Sequence, residues 1–311
     1  MTEPLSLRCA HDMPAESTFN RHIAALWAEV TEATRGEVNV EVVAWGASGN
    51  SGSMLAQTRR GVVHFYPASG MPLASECPII ALEGVPYAFD SDEHAIDVFS
   101  GPLGDRVRQS VREIGLVALP GMWPQGHNQI PTVDKTPFPS LAAMAGFPIR
   151  TADSPFLLDL YASLGMDPQP VHLQGVRDAL EQGRARGVEM PPHGIEQLGV
   201  TDLHRSMTLL DIRWANFWMT VHAATWARLS TEHQQIVTDA SGRHAAEYAH
   251  DIAAENRSAL ARFSERHSVG SLDHSVVRES LTRAGFYERW RDQLGADTWA
   301  LLESETQRSL R

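Results

Sequence analysis

Between Leu5 and Val42 the chain reads strand, helix, strand, and that order restricts the fold more than any other feature. Leu5, Leu7 and Cys9 alternate with polar residues and read as a strand ending at His11 and Asp12. From Ser17, the residues Phe19, Ile23, Leu26 and Val30 share one face of a helix that Gly36 stops. Val38, Val40 and Val42 then alternate as a second strand finishing at Trp45. Two strands joined through a helix seed a parallel sheet with helices on its faces. The unit repeats as a short helix from Ser53 to Arg60 and a strand from Val62 to Tyr66. A helix bearing Val107, Val111 and Ile114 then leads into the strand Leu116 to Leu119.

The character changes at Gly121-Met-Trp-Pro-Gln-Gly-His-Asn-Gln-Ile-Pro, a turn-rich, aromatic stretch suited to a passage between domains, with the crossing placed near Gln125. Beyond it come a strand carrying Arg150, a helix from Asp153 to Leu164, a strand around Val171, a helix from Gly175 to Gln182 and a strand from Arg213 to Val221. A long helical stretch, Thr231 to Arg266, suits a spine packed against both domains, and helices at Ser275 to Ala284 and Tyr287 to Ser309 close the chain. A length of 311 residues accommodates two α/β domains.

Charge and composition exclude other classes. A net charge of −12 with no basic stripe argues against nucleic acid as partner. No apolar run approaches the roughly 18 residues that span a bilayer. Cys9 and Cys77 lack metal-ligand spacing and stand either as one disulfide or as two buried thiols. The start, Met-Thr-Glu-Pro-Leu-Ser-Leu-Arg, has no charged region followed by an apolar core, so no signal peptide is read in this sequence; an intracellular protein and a mature form both fit. Gly46 to Gly52 lacks the lysine and spacing of a phosphate-binding loop and reads as a turn.

The residue most suggestive of chemistry is Arg150. It lies at the end of a short strand, before the helix-start signal Thr151, Asp153, Ser154, and so points a rigid donor fork from the carboxyl edge of a sheet, where open α/β sheets place ligands. A guanidinium keeps its charge and matches a carboxylate bidentately. The competing reading is a surface arginine or an interdomain ion pair.

Several motifs in order resemble a known family. The segment Glu-Ala-Thr-Arg-Gly-Glu-Val-Asn-Val-Glu-Val, then Met54 to Val62, Val85-Pro86-Tyr87-Ala88-Phe89, Gly146-Phe147-Pro148-Ile149-Arg150, and Val176 to Pro191 with Gly183, Gly187 and Glu189 carry it. Over almost its whole length the chain resembles the extracytoplasmic solute-binding proteins of tripartite ATP-independent periplasmic (TRAP) transporters, in the dicarboxylate-binding branch. The resemblance implies a two-lobed periplasmic-binding-protein fold, type II-like, with a long C-terminal spanning helix. Lobe I would be residues 1–125 and 214–252, lobe II residues 126–213 and 253–311. It further implies capture of a small organic acid, Arg150 pairing with the ligand carboxylate, hinge closure, delivery to TRAP membrane subunits, a periplasmic location and a monomer, with no cofactor, metal or nucleic acid. His11, Ser69, Asn128, Glu189, Trp214 and Met190 are carried over by approximate position as further ligand-binding residues.

Two departures qualify it. Family members often carry a second arginine in a segment like Asn-Gly-Phe-Arg-Gln; this chain has Gln125-Gly126-His127-Asn128-Gln129, with Asn128 in place of the cation, and Arg186 replaces the family's aspartate near Glu189. With fewer cations a monocarboxylate is favoured over a dicarboxylate, although a protonated His127 would restore charge. Trp123, Trp214 and Met190 suggest an apolar or aromatic ligand body. An enzyme of the same two-lobed fold is the alternative, but His11 and Asp12, its best acid–base pair, are adjacent on a strand and point to opposite faces. A cytoplasmic ligand sensor is a third reading, and it lacks an output domain.

Overall fold

The structure, a computed structural model, describes residues 4–44 and 49–311. Trp45 and the first part of the glycine-rich turn lie outside the described residues. The first lobe begins with β1 (Leu5–Ala10), α1 (Thr18–Ala33) and β2 (Val38–Val43), then α2 (Ser51–Arg59), β3 (Phe65–Ser69) and the one-turn α3 (Gly70–Ala74). Next come α4 (Asp92–Ser100), α5 (Pro102–Glu113), β4 (Leu116–Ala118) and β5 (Trp123–His127). The chain then crosses to a second unit: β6 (Ile130–Thr132), β7 (Pro148–Thr151), α6 (Pro155–Ser163), β8 (Asp167–Pro170), α7 (Val176–Glu181), β9 (Gly187–Val188), α8 (Pro192–Gln197) and β10 (Ser206–Leu209). It returns through β11 (Trp214–His222), α9 (Ala223–Arg228) and α10 (Thr231–Ser264), and finishes with β12 (Ser268–Ser271), α11 (His274–Arg283), α12 (Phe286–Leu294) and α13 (Ala296–Thr306).

Local chemistry explains the opening. In β2 the valines Val38 and Val40 face the core while Asn39 and Glu41 face water, and the strand pairs parallel with β1 from Leu5 opposite Val38 to Ala10 opposite Val43. Ser17 caps α1 by accepting from the Asn20 N–H, and Phe19, Ile23, Leu26 and Val30 are buried. The helix ends at Ala33, and the chain turns back through Arg35 and Gly36, both left-handed at φ of 53° and 80°, a conformation that the glycine adopts without penalty. The first sheet runs β2-β1-β3-β11-β4, with β5 paired antiparallel to β11; the second runs β12-β10-β6-β9-β7-β8.

Three connections join the sheets. β5 passes to β6 through Asn128 and Gln129, and β10 passes to β11 through Leu210 to Arg213. These two segments lie side by side: Asn128 N–H donates to the Arg213 carbonyl at 2.9 Å, and the Gln129 Oε1 accepts from the Leu210 and Asp211 N–H groups at 2.8 and 3.1 Å. The third connection is α10, 34 residues and about 51 Å long. Its first two thirds bury Val237, Ala240, Tyr248 and Ile252 in one core with Phe19 and Trp27, and near its end Phe263 enters the core of Val176, Leu180 and Met207. One helix therefore contributes to the cores of both units, as the spine reading expected.

Several elements differ from the sequence reading. Trp123 to His127 is a strand of the first sheet, not a connector, so the crossing comes after His127; strand pairing with β11 outweighed the local proline and glycine. After β3 the chain makes the single turn α3 at residues 70–74. The final helical stretch breaks at Gly295, whose φ of 90° separates α12 from α13, and α13 packs on α4 and α5 of the first lobe. Cys9 and Cys77 are buried free thiols in separate cores.

Candidate functional site

A cavity of about 410 Å³ opens between the two sheets, beside the paired crossing segments. Ser69, Met71, Gln125 and Phe217 line it from the first lobe, and Arg150, Glu189, Met190 and His172 from the second; Asn128 and Arg213 line it from the crossings themselves. Volume and mixed lining match a small-molecule site.

Arg150 occupies β7, between β8 and β9, and is 3% exposed. The Nε donates to the Val171 carbonyl at 2.8 Å, which aims the fork, and among the described residues no acceptor engages its two terminal nitrogens within hydrogen-bond distance. Burial pulls this guanidinium down to about 10, with Glu189 and Asp12 opposing the shift, and it remains charged at neutral pH.

The second cation is Arg213. Its Nη2 lies 2.8 Å from Glu189 Oε2 and 3.1 Å from Oε1, its Nε lies 3.2 Å from Oε2, and the two side chains are 6% and 3% exposed. Asn128 Nδ2 also donates to Glu189 Oε2, and Thr151 Oγ1 stands 3.5 Å from Oε1. Although burial opposes it, Glu189 holds the Arg213 guanidinium above its ordinary value. Asp12 sits deeper: burial raises its carboxyl, offset in part by the Ser51 hydroxyl at 2.5 Å and the charge of Arg150, and its Oδ1 has no hydrogen-bond partner. With Arg213 matched by Glu189, Arg150 is the buried cation of the wall that no carboxylate bonds among the described residues; the exposed Asp153 also lines the cavity.

The cavity wall therefore brings together Arg150, Ser69, Asn128, Glu189 and Met190 from the residues singled out by sequence. Trp214 and His11 are corrections, since neither lines it. Trp214 stacks on Phe99 at a centroid distance of 5.8 Å and donates from Nε1 to Asp92 Oδ1 at 3.0 Å. His11 is tied to Asn20 Oδ1 at 2.9 Å and to the Met13 N–H, and burial lowers it to about 4, so it carries no charge for a ligand. A working His11–Asp12 dyad is absent, because the imidazole and the carboxyl have different partners. Trp123 belongs to the first-lobe core, 5.5 Å from Tyr248, and gives no aromatic face to the cavity. His127 stands 3.5 Å from Asp92 and does not replace the missing cation. Glu189 pairs with Arg213 while Arg186 pairs with Asp134.

Arg213 is the residue that sequence reasoning passed over. It read as the first residue of an aromatic strand, and nothing local signals that the strand entry crosses the cavity. The available hint was an arginine immediately before an apolar run, a position that is buried unless paired.

Residues 9–281 match the family described as "Bacterial extracellular solute-binding protein, family 7", DctP. The chain is a DctP-family solute-binding protein. It is 24% identical to a solute-binding protein of Roseobacter denitrificans over 239 residues, covering 77% of this chain and 73% of the relative. Its fold superposes with a TM-score of 0.92 on a sugar acid binding protein of Advenella mimigardefordensis solved with galactonate, at 20% identity and 99% of each chain. A TRAP periplasmic solute-binding protein of a Sulfitobacter species, solved with β-D-galacturonate, superposes with a TM-score of 0.91 at 19% identity, over 98% of this chain and 100% of that one. The DctP-family chain thus has the fold of TRAP solute-binding proteins, and the family binds solutes for transport rather than transforming them. Among the described residues, no helix of this family member is long and apolar enough to cross a membrane.

Proposed function

We propose that the chain captures a small hydroxylated monocarboxylic acid, of the sugar-acid class, in the periplasm and hands it to the membrane subunits of a TRAP transporter. Arg150 grips the carboxylate through its two terminal nitrogens, and the Arg213–Glu189 pair with Asn128 and Ser69 supplies donors and acceptors for hydroxyl groups. The supporting observation is the pairing: of the two buried guanidiniums, Arg213 is held by Glu189, while Arg150 bonds no carboxylate among the described residues and keeps its terminal nitrogens for the guest. A second ligand carboxylate would be buried beside Glu189 without a counter-charge, which is costly. Met71, Met190 and Phe217 form the apolar wall against the carbon skeleton. The solutes named for the two superposed proteins, galactonate and galacturonate, carry one carboxylate each and agree in size and polarity.

With the crossing after His127, lobe I (residues 1–127 and 214–252) and lobe II (residues 128–213 and 253–311) would close over the acid about the paired crossings and α10. α13 is the exception within lobe II, because it rests on α4 and α5. Thermal-shift screening of matched mono- and dicarboxylates, repeated with Arg150→Ala, tests the reading: monocarboxylates stabilise the parent and lose that effect in the variant. Equal stabilisation of both proteins, or a preference for dicarboxylates, removes it.

A further inference from the structure

On the outer face of the first lobe, α1 and the first half of α10 bring two imidazoles and a carboxylate together. His22 projects from α1; His244 and Glu247 sit one helical turn apart on α10. One ligand atom from each lies within 4.8 Å of the others. Two observations separate this cluster from ordinary surface polarity. His244 Nδ1 is buried and has no hydrogen-bond partner, with Glu247 Oε2 3.6 Å away. Each ring is also held by a carboxylate: His244 Nε2 lies 3.0 Å from Glu29 Oε2, and His22 Nε2 lies 3.0 Å from Asp251 Oδ2. A carboxylate that orients an imidazole while a ring nitrogen remains available is the outer-layer arrangement of metal-binding histidines, and a buried unsatisfied nitrogen calls for an ion or water.

We propose that His22, His244 and Glu247 bind a divalent first-row transition metal of the zinc or nickel type. Imidazole with one carboxylate suits these ions and not calcium or magnesium, which take oxygen ligands. The i, i+3 placement of His244 and Glu247 directs both side chains to one side of α10, and His22 comes from the facing helix, so the ion clips α1 to the spanning helix. The neighbouring charges allow it: Arg243 is paired with Glu29 and Arg21 with Asp251, and among the described residues Glu247 forms an ion pair with His244 alone. His22 also packs its ring against Tyr248, 5.8 Å between centroids, which fixes it from the core side. The site lies apart from the solute cavity, so its role is to stiffen the first lobe, and it stands whatever the solute proves to be.

The test uses tag-free protein and zinc chloride alone. Isothermal titration should give one equivalent bound, with the thermal midpoint raised by on the order of 5 °C at a hundredfold excess over Kd. Cobalt chloride should give visible absorption bands of a low-coordinate centre. His244→Gln and Glu247→Gln should each weaken zinc at least about tenfold, while His250→Gln, on an exposed neighbour, leaves it unchanged. Glu247 is exposed, so its variant keeps the test open if the His244 variant folds poorly. Absence of zinc binding at 100 µM, or zinc binding untouched in both variants, overturns the proposal.

Discussion

Replacing Arg150 by methionine keeps much of the side-chain volume and removes the charge. The guanidinium is 3% exposed, uses one nitrogen on the Val171 carbonyl, and has no neighbour that can take over its duty, because Arg213 is bound to Glu189 at 2.8 Å. Truncating one side of a buried, hydrogen-bonded charge pair costs about 2 to 5 kcal/mol of binding. At roughly 1.4 kcal/mol per tenfold, affinity for a monocarboxylate should fall about thirtyfold at the least and several thousandfold at the most. Stability of the unliganded protein should move the other way. Burial already pulls this guanidinium down to about 10, so the fold bears a cost to hold it, and Arg150→Met should be neutral or stabilising in urea unfolding. Isothermal titration with galacturonate or galactonate, beside the unfolding curve, reads both quantities. Affinity reduced less than about threefold in a folded variant would refute the reasoning, since no charge-assisted pair is that weak when desolvated.

Other outcomes follow from the same geometry. Arg213→Met strands Glu189 as a buried unpaired anion and should cost about 3 to 5 kcal/mol in urea unfolding, whereas Arg213→Met with Glu189→Met should recover most of it; equal losses for the single and double variants would show that the pair's electrostatics are unimportant. Glu83 is fully buried, accepts from Trp218 Nε1 at 2.7 Å, and burial raises its carboxyl from 4.5 to about 8. The folded protein therefore keeps a proton that the unfolded chain releases above 4.5, and stability from this group declines as pH rises from 4.5 to about 8, on the order of 5 kcal/mol across that window. Glu83→Gln should flatten that decline and be the more stable protein at pH 8, as read by unfolding at several pH values; a parallel decline in the variant would locate the effect elsewhere. Gly126→Ala would place a Cβ 2.6 Å from Asn256 Nδ2 at a φ of 99°, and should loosen the link by which Asn256 holds Gln125 and His193, seen as faster amide exchange in α8.

The opening βαβ unit was legible because alternation and helical periodicity are local properties: Val38, Val40 and the Phe19 to Val30 face are buried where the pattern put them. Arg150 was legible for a different reason, since a charged residue ending a strand ahead of a helix start is a sheet-edge signature, reinforced by family motifs. Trp214 failed because alternation within a strand says which residues share a face but not which neighbouring element covers that face; Phe99 and Asp92, far away in sequence, decide it. His11 failed similarly, its ring turned onto Asn20 across the α1 entry. Arg213 was missed because its meaning comes from Glu189 and from a backbone crossing that brings Asn128 alongside, neither of which leaves a mark in nearby residues. The zinc-type cluster is invisible for the same cause: His22 and His244 are more than two hundred residues apart and meet only when α1 packs on α10.

The most direct measurement is a crystal structure with galacturonate or galactonate bound. The account predicts the ligand carboxylate within about 2.7 to 2.9 Å of the two terminal nitrogens of Arg150, with the Arg213–Glu189 pair intact and hydroxyls facing it. A carboxylate seated on Arg213 with Glu189 displaced, or an acid held with Arg150 turned away, would contradict it.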